Sequence, residues 1–250
     1  MDKKYFFFDI DGTLGLGISS IIPADTLYCL RLLQQKGHFL SIASGRLQRD
    51  AQNFADRYGI PAVVSDGGNS LSLQGKILEM TGLPLKNCQA LLHDLTKRQI
   101  PWAVVLDNTQ NRYTPYETFP HDDPRNYMQT VVQDIDIDSL TAVYKLMYVQ
   151  PKEKIERYGL PHLTYLDNTY LVEPTDKNKG ILRMLELVGG KAEDAVVFGD
   201  GYNDLSMFKK PFFAIAMGNG RDALKERADY VTADNDKGGI LKACLKFGWI

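Results

Sequence analysis

The chain has 250 residues, of which 44% are hydrophobic and 24% charged, enough to bury one large core or two smaller ones. Its formal net charge is -2 and its basic residues form no stripe, which speaks against nucleic acid as a partner. No apolar run reaches membrane-spanning length, and the first residues enter a strand without the pattern of a secretory leader, so the expectation is a cytoplasmic protein with no membrane partner. Cys29, Cys88 and Cys244 are odd in number, far apart and set in apolar periodic segments, as buried free thiols are; neither a disulfide nor a zinc site is expected.

Taken in order, the run Phe6, Phe7, Phe8 leads into Asp9, Ile10, Asp11 and Gly12, which reads as a buried strand delivering two carboxylates to its end. Acids this close repel each other, so a cation between them or a proton on one is expected, unless the segment is only an acidic turn. Pro23 and Asp25 ahead of Leu27, Leu30 and Leu33, with Gly37 closing, predict an amphipathic helix. Residues 38–43 predict a strand that ends in Ser44, Gly45 and Arg46. A helix follows with Leu47, Ala51, Phe54 and Tyr58 on one face and Gly59 as its stop, and then a strand over 62–65. Strand and helix in alternation predict an α/β, doubly wound parallel, Rossmann-like sheet.

The alternation then breaks. Leu71 to Leu78 read as a hairpin around Gln74, Gly75 and Lys76. Residues 84–175 read as an inserted α+β module: a helix through Leu85, Cys88, Leu91 and Leu95, a strand over 102–106, and a loop with Tyr113, Pro115, Tyr116, Pro120 and Pro124. A second helix over 127–132 and strands over 144–149, 163–166 and 170–173 complete it. The main domain is thus expected over 1–83 and 176–250. Within its second part, a helix starts near Lys179 and Gly180, a strand over 195–198 runs into Asp200, Asn203 and Asp204, and Leu205, Met207 and Phe208 suggest a short helix. Strands over 212–216 and 230–232 and a helix over 240–245 close the chain.

In a parallel sheet the strand ends share one edge, which brings Asp9, Asp11, Ser44, Lys179, Asp200, Asn203 and Asp204 together. Carboxylates without histidine or cysteine suit a hard cation such as Mg²⁺, and Ser44, Asn203 and Lys179 suit the oxygens of a phosphate. Taken singly, Ser44 and Asn203 also suit helix caps, Asp200 and Asp204 a helix N-terminus, and Lys179 a solvated surface. Arg46 would tie its helix to phosphate or to the insertion. The four histidines lack ligand spacing.

These segments, in this order, resemble the haloacid dehalogenase superfamily of phosphohydrolases, and within it the Cof-like phosphatases with a type IIB cap. The matching motifs are Asp9 to Leu14, Ser44 to Arg46, Lys179 with Gly180, Gly199 to Asp204, and Met217 to Asn219; the insertion matches only in position and size. The resemblance implies a Mg²⁺-dependent phosphatase of a small phosphorylated metabolite, such as a sugar phosphate, with no obligate protein partner. Asp9 would be the nucleophile and Asp11 the acid and base. Lys179 would support catalysis, with Lys177 competing for that role. Ser44, Gly45, Arg46 and Asn203 would bind substrate, and Asp9, Asp11, Asp200 and Asp204 would serve the metal, Asp11 through its carbonyl and Asp204 from outside. The insertion would act as a lid.

Two rivals use the same residues: a phosphotransferase or mutase passing the group from Asp9 to a sugar hydroxyl, and a metal- and phosphate-binding regulator without turnover. Both acids are present, which disfavours the regulator. Substrate choice would fall to the insertion, where Arg112, Tyr113, Asn168, Tyr170 and Glu173 are candidates by chemistry and position alone.

Overall fold

The apolar run at the start of the chain forms β1 (Tyr5–Phe8), whose side chains alternate between two hydrophobic clusters, Phe6 and Phe8 in one and Tyr5 and Phe7 in the other. Because successive strand residues point to opposite faces, both faces of this sheet are covered. In this computed structural model, which describes residues 2–17, 20–120, 128–165 and 168–250, the chain divides into two compact units, Met1–Met80 with Thr175–Ile250, and Thr81–Pro174.

After β1 the first unit continues with α1 (Ala24–Gln35), β2 (Phe39–Ala43), α2 (Gln48–Tyr58), β3 (Ala62–Ser65), and a hairpin of β4 (Ser70–Leu73) and β5 (Lys76–Met80). The second unit holds α3 (Leu85–Lys97), β6 (Trp102–Val105), β7 (Asn111–Thr114), β8 (Gln129–Val132), β9 (Lys145–Val149), β10 (His162–Thr164) and β11 (Thr169–Val172). The chain then returns to the first unit through α4 (Lys177–Leu187), β12 (Ala195–Gly199), β13 (Phe213–Ala216), α5 (Asp222–Lys225), β14 (Tyr230–Val231) and α6 (Gly239–Lys246).

The eight strands of the first unit run in the order β14-β13-β12-β1-β2-β3-β4-β5, parallel from β14 to β3 and antiparallel through the hairpin. Leu30 and Leu33 of α1, Phe54 of α2 and Ile240 of α6 pack on one face, while Ile181 and Met184 of α4 pack on the other. Chain order reverses at β1, between β12 and β2, and in such sheets the carboxyl ends of the strands around this switch point form a crevice.

The second unit is a six-stranded sheet, β10-β11-β9-β6-β7-β8, with its own core of Leu91, Leu95, Trp102, Leu146 and Tyr148. Two segments differ from expectation. The tyrosine- and proline-rich loop contains β7, and the helix expected over 127–132 is replaced by β8, which pairs parallel with β7. Thr130, Val131 and Val132 are consecutive β-branched residues, stiff at χ1 and better suited to a pleated surface than to a helix. Tyr127, with His121, Pro124 and Leu166 of the earlier expectations, lies outside the described residues. In the first unit, the short helix expected around Leu205 to Phe208 is instead a 3-10 turn at Tyr202–Asp204 followed by further turns, and α5 was not foreseen.

Candidate active site

Strand register builds the site. Phe8 of β1 pairs with Ile42 on one side and Phe198 on the other, and the Asp9 N–H donates to the Phe198 carbonyl at 3.0 Å. Asp9 therefore leaves the sheet between the turn that starts at Ser44 and the loop that starts at Asp200. Its side chain is buried, and its Oδ1 accepts a 2.6 Å hydrogen bond from the Lys177 Nζ. Among the described residues its Oδ2 accepts none.

Lys177 occupies the place that the motif reading gave to Lys179. Asp176 caps α4 through a hydrogen bond from the Lys179 N–H, which makes Lys177 the first helical residue. Two helical positions are about 200° apart, so only one of these lysines can face the sheet edge. Lys177 is 1% exposed and its ammonium bridges Asp9 and Asp204, at 2.6 and 2.5 Å, whereas Lys179 is exposed. The Lys177 N–H also donates to Ser206 Oγ at 3.0 Å, which pins the helix start. Burial acts to lower the Lys177 pKa, but Asp204 and Asp9 outweigh it and hold the ammonium charged above its ordinary range.

Both oxygens of Asp204 are engaged. Oδ1 takes Lys177, and Oδ2 accepts the backbone N–H groups of Asp200 and Gly201, each at 2.9 Å. Gly199 is required at this approach, since a Cβ there would lie 2.7 Å from the Asp204 carboxylate. Asp200 is oriented from the opposite side by Thr13, whose hydroxyl donates to Oδ1 at 2.9 Å. Gly12, at φ +83°, lets the first loop reach Asp200: a Cβ would sit 2.3 Å from Oδ2.

Desolvation raises Asp9 well above the ordinary carboxylate range, with Asp204 adding to the effect and Lys177 opposing it. Burial, with Asp204 second, pushes Asp200 up to about 6. Carboxyl oxygens of Asp9, Asp200 and Asp204 lie within 4.8 Å of one another. With Asp204 occupied by its own donors, the carboxylates of Asp9 and Asp200 are the ones left for a ligand. An all-oxygen cluster short of positive charge fits a hard divalent cation, so the residues present match the metal that the motifs imply.

Asp11 stands apart from this cluster. Its two oxygens accept from Arg46, Nε to Oδ2 at 2.9 Å and Nη2 to Oδ1 at 2.6 Å. The turn through Gly45 is tight: the Arg46 N–H donates to Ser44 Oγ at 3.2 Å, and the N–H groups of Asp66 and Gly67 donate to the carbonyls of Arg46 and Ser44. Asn203 is exposed on the turn before Asp204. Neither Thr13 nor Ser206 was singled out from sequence. Thr13 lay inside the first motif, and Asp176 as a helix cap was the signal that placed Lys177 first.

The specificity candidates of the second unit make their own contacts there. Arg112 is buried and donates to Thr130 Oγ1 and the Pro120 carbonyl, Glu173 is ion-paired with Lys145, and the Tyr113 hydroxyl donates to Asp107. Tyr170 packs on Tyr148 with ring centroids 5.4 Å apart, and Asn168 has a positive φ of 60°.

A doubly wound sheet with two acids after its central strand, and with a lysine and further acids on neighbouring elements, defines a hydrolase of the haloacid dehalogenase class. The profile of haloacid dehalogenase-like hydrolases matches residues 6–244, and the chain belongs to that family. It is 28% identical over 259 residues to YkrA of Bacillus subtilis (strain 168), named as a candidate phosphatase, with 99% of each chain covered. A solved hypothetical protein from Geobacillus kaustophilus HTA426 superimposes with a TM-score of 0.88 at 27% identity, covering 100% of both chains. A subclass IIB sugar phosphatase superimposes at 0.80 with 26% identity, covering 99% of this chain and 100% of that one. No helix among the described residues is long and apolar enough to cross a membrane.

Proposed function

We propose that this chain is a Mg²⁺-dependent cytoplasmic phosphatase that hydrolyses a small phosphorylated metabolite, a sugar phosphate in the first instance, through an aspartyl-phosphate. The observation that carries this reading is the asymmetry of Asp9 at the sheet edge: one oxygen is fixed by Lys177, and among the described residues the other accepts no hydrogen bond. Similarity to phosphatases over nearly the whole chain, one of them a sugar phosphatase, supports the substrate class.

Asp9 Oδ2 attacks phosphorus while the bond from phosphorus to the ester oxygen breaks, and Asp11 gives its proton to that oxygen, which leaves as an alcohol. A water molecule then attacks the phosphorus of the aspartyl-phosphate and passes a proton to Asp11. The bond to Asp9 breaks, inorganic phosphate leaves, and both side chains return to their starting forms. Lys177 orients Asp9 and offsets its charge, and Asp204 holds Lys177 and the Asp200 loop. Ser44, Asn203 and the turn through Gly45 take the phosphate oxygens. Asp9, the Asp11 carbonyl and Asp200 would hold Mg²⁺, which would supply positive charge to the phosphoryl oxygens. The inserted unit is assigned the choice among leaving groups.

The test is phosphate release from a panel of phosphorylated sugars, sugar acids and nucleotides with Mg²⁺, Ca²⁺ or EDTA. Turnover of small sugar phosphates with Mg²⁺, lost in EDTA and with Ca²⁺, is the expected result. Undiminished turnover in EDTA, or no hydrolysis of any ester, contradicts it.

A further inference from the structure

The sequence suggested that Arg46 meets phosphate or the insertion; its guanidinium is instead engaged by two aspartates of its own unit. One edge forms the two-pronged contact with Asp11, at 2.9 and 2.6 Å. The remaining nitrogen, Nη1, donates to Asp50 Oδ2 at 2.9 Å and Ser20 Oγ at 3.3 Å. The group also lies 5.8 Å from the centre of the Phe54 ring. Burial works against the Arg46 charge, but Asp11 and Asp50 outweigh it and keep the guanidinium charged.

Exposure decides what this contact does. The Asp11 side chain is 37% exposed, whereas those of Arg46 and Asp50 are 11% and 15% exposed. An aspartate so open, on a loop, has rotamers to explore, and among the described residues its carboxyl accepts hydrogen bonds from Arg46 alone. A planar guanidinium that engages both oxygens sets the position and the plane of the carboxyl together, which a single ammonium cannot do. The base of the fork is itself rigid, because the Arg46 backbone is held at both N–H and carbonyl and Asp50 sits in the first turn of α2.

We propose that Arg46 is a positioning residue that fixes the Asp11 carboxyl for its part in the reaction, and that Asp50 holds Arg46 in place for this. The inference rests on the reading of Asp11 as the proton carrier and deepens it. It differs from a phosphate-binding role for the Arg46 side chain in what each loss should affect: a positioning residue acts on kcat through Asp11, whereas a phosphate ligand acts on phosphate affinity whatever stands at position 11.

A double-mutant cycle separates the two. Arg46→Lys, Asp50→Asn and Asp11→Asn are made singly, and the first two are each combined with the third. Turnover of glucose 6-phosphate and 4-nitrophenyl phosphate is measured together with inhibition by inorganic phosphate. Arg46→Lys should lower kcat on glucose 6-phosphate by about tenfold or more, within the range of general acid catalysis. It should leave the phosphate inhibition constant within about twofold, and cost nothing further in the Asp11→Asn background. Asp50→Asn should act in the same direction with a smaller loss, and it carries the cycle alone if Arg46→Lys shows no cooperative melt. Equal losses with and without Asp11, an unchanged kcat in both Arg46→Lys and Asp50→Asn, or phosphate inhibition weakened about tenfold would overturn the positioning role. Full turnover by Asp11→Asn alone would overturn the proton-carrier reading itself, and the inference with it.

Discussion

The Lys177 Nζ lies 2.6 Å from Asp9 Oδ1 although 168 positions separate the two residues in the chain. The contact joins the first strand of the first unit to the first helix after the inserted segment. Removing this ammonium leaves Asp9 and Asp204 buried beside each other without a cation. Breaking a buried pair in this way costs about 3–5 kcal/mol when the remaining charge persists, and protonation of one carboxyl would reduce that. Lys177→Met should therefore lower the melting temperature of the metal-free protein and reduce kcat by about a hundredfold or more. Lys179→Met, at an exposed position, should change stability by no more than about 0.5 kcal/mol and leave kcat nearly unaltered. Comparable damage from the two substitutions would contradict the assignment.

Gly12 tests the other side of the cluster. Its positive φ and the 2.3 Å approach of a Cβ to Asp200 Oδ2 mean that Gly12→Ala must move the loop, the carboxylate or both. The expected outcome is a weaker stabilising response to Mg²⁺ in thermal melts. Gly17→Ala is the control: it shares the positive φ but has nothing within 4 Å of its Cβ, so it should keep the wild-type response to metal. An unchanged Mg²⁺ response in Gly12→Ala would argue that Asp200 is not a ligand.

The raised carboxyls predict a dependence on pH with a definite sign. Asp200 moves from 3.8 to about 6 on folding, and Asp9 moves in the same direction, so the folded metal-free protein binds more protons than the unfolded chain across this window. Their contribution is fully present below the unfolded value and is lost as pH rises through the folded one. Relative to Asp200→Asn, the metal-free wild type should thus lose melting temperature between about pH 4 and pH 7. The shift produced by Mg²⁺ should grow over the same interval, because the cation displaces those protons. Melting curves with Mg²⁺ or EDTA measure both, and a Mg²⁺ shift that falls with pH would contradict the ligand set.

Much of this arrangement was legible because strand ends carry their chemistry in contiguous motifs. Asp9 after three phenylalanines, and Asp200 after an apolar strand, needed only the rule that parallel strands end together. The lysine was harder. Helical geometry turns a two-residue offset into a change of face, so α4, beginning at the Asp176 cap, turns Lys177 toward Asp9 and leaves Lys179 exposed. In the second unit, the β-branched run Thr130, Val131 and Val132 pairs with β7 where the sequence reading expected a helix. The fork from Arg46 to Asp11 and Asp50 joins residues that no single motif links, and its partners follow only from the three-dimensional turn at Ser44.

Asp11 and Asp9 should fail in different ways. Asp11→Asn removes a proton carrier, so its cost in the first chemical step depends on the leaving group: roughly a hundredfold to ten-thousandfold for a sugar alkoxide, and less for 4-nitrophenolate, which leaves without a proton. Single-turnover kinetics isolate that step. Equal damage for both leaving groups would mean that Asp11 positions backbone or metal and moves no proton.

The central claim is that Asp9 carries the phosphoryl group. In Asp11→Asn, 4-nitrophenyl phosphate should still phosphorylate the enzyme while loss of the base slows hydrolysis of the intermediate, so acid quenching should trap it. Mass spectrometry of the quenched protein, followed by peptide mapping, should find one added phosphoryl group on the peptide that contains Asp9 and none in Asp9→Asn. A burst of 4-nitrophenol without any protein-bound phosphoryl group, or a group mapped to another residue, would contradict the mechanism.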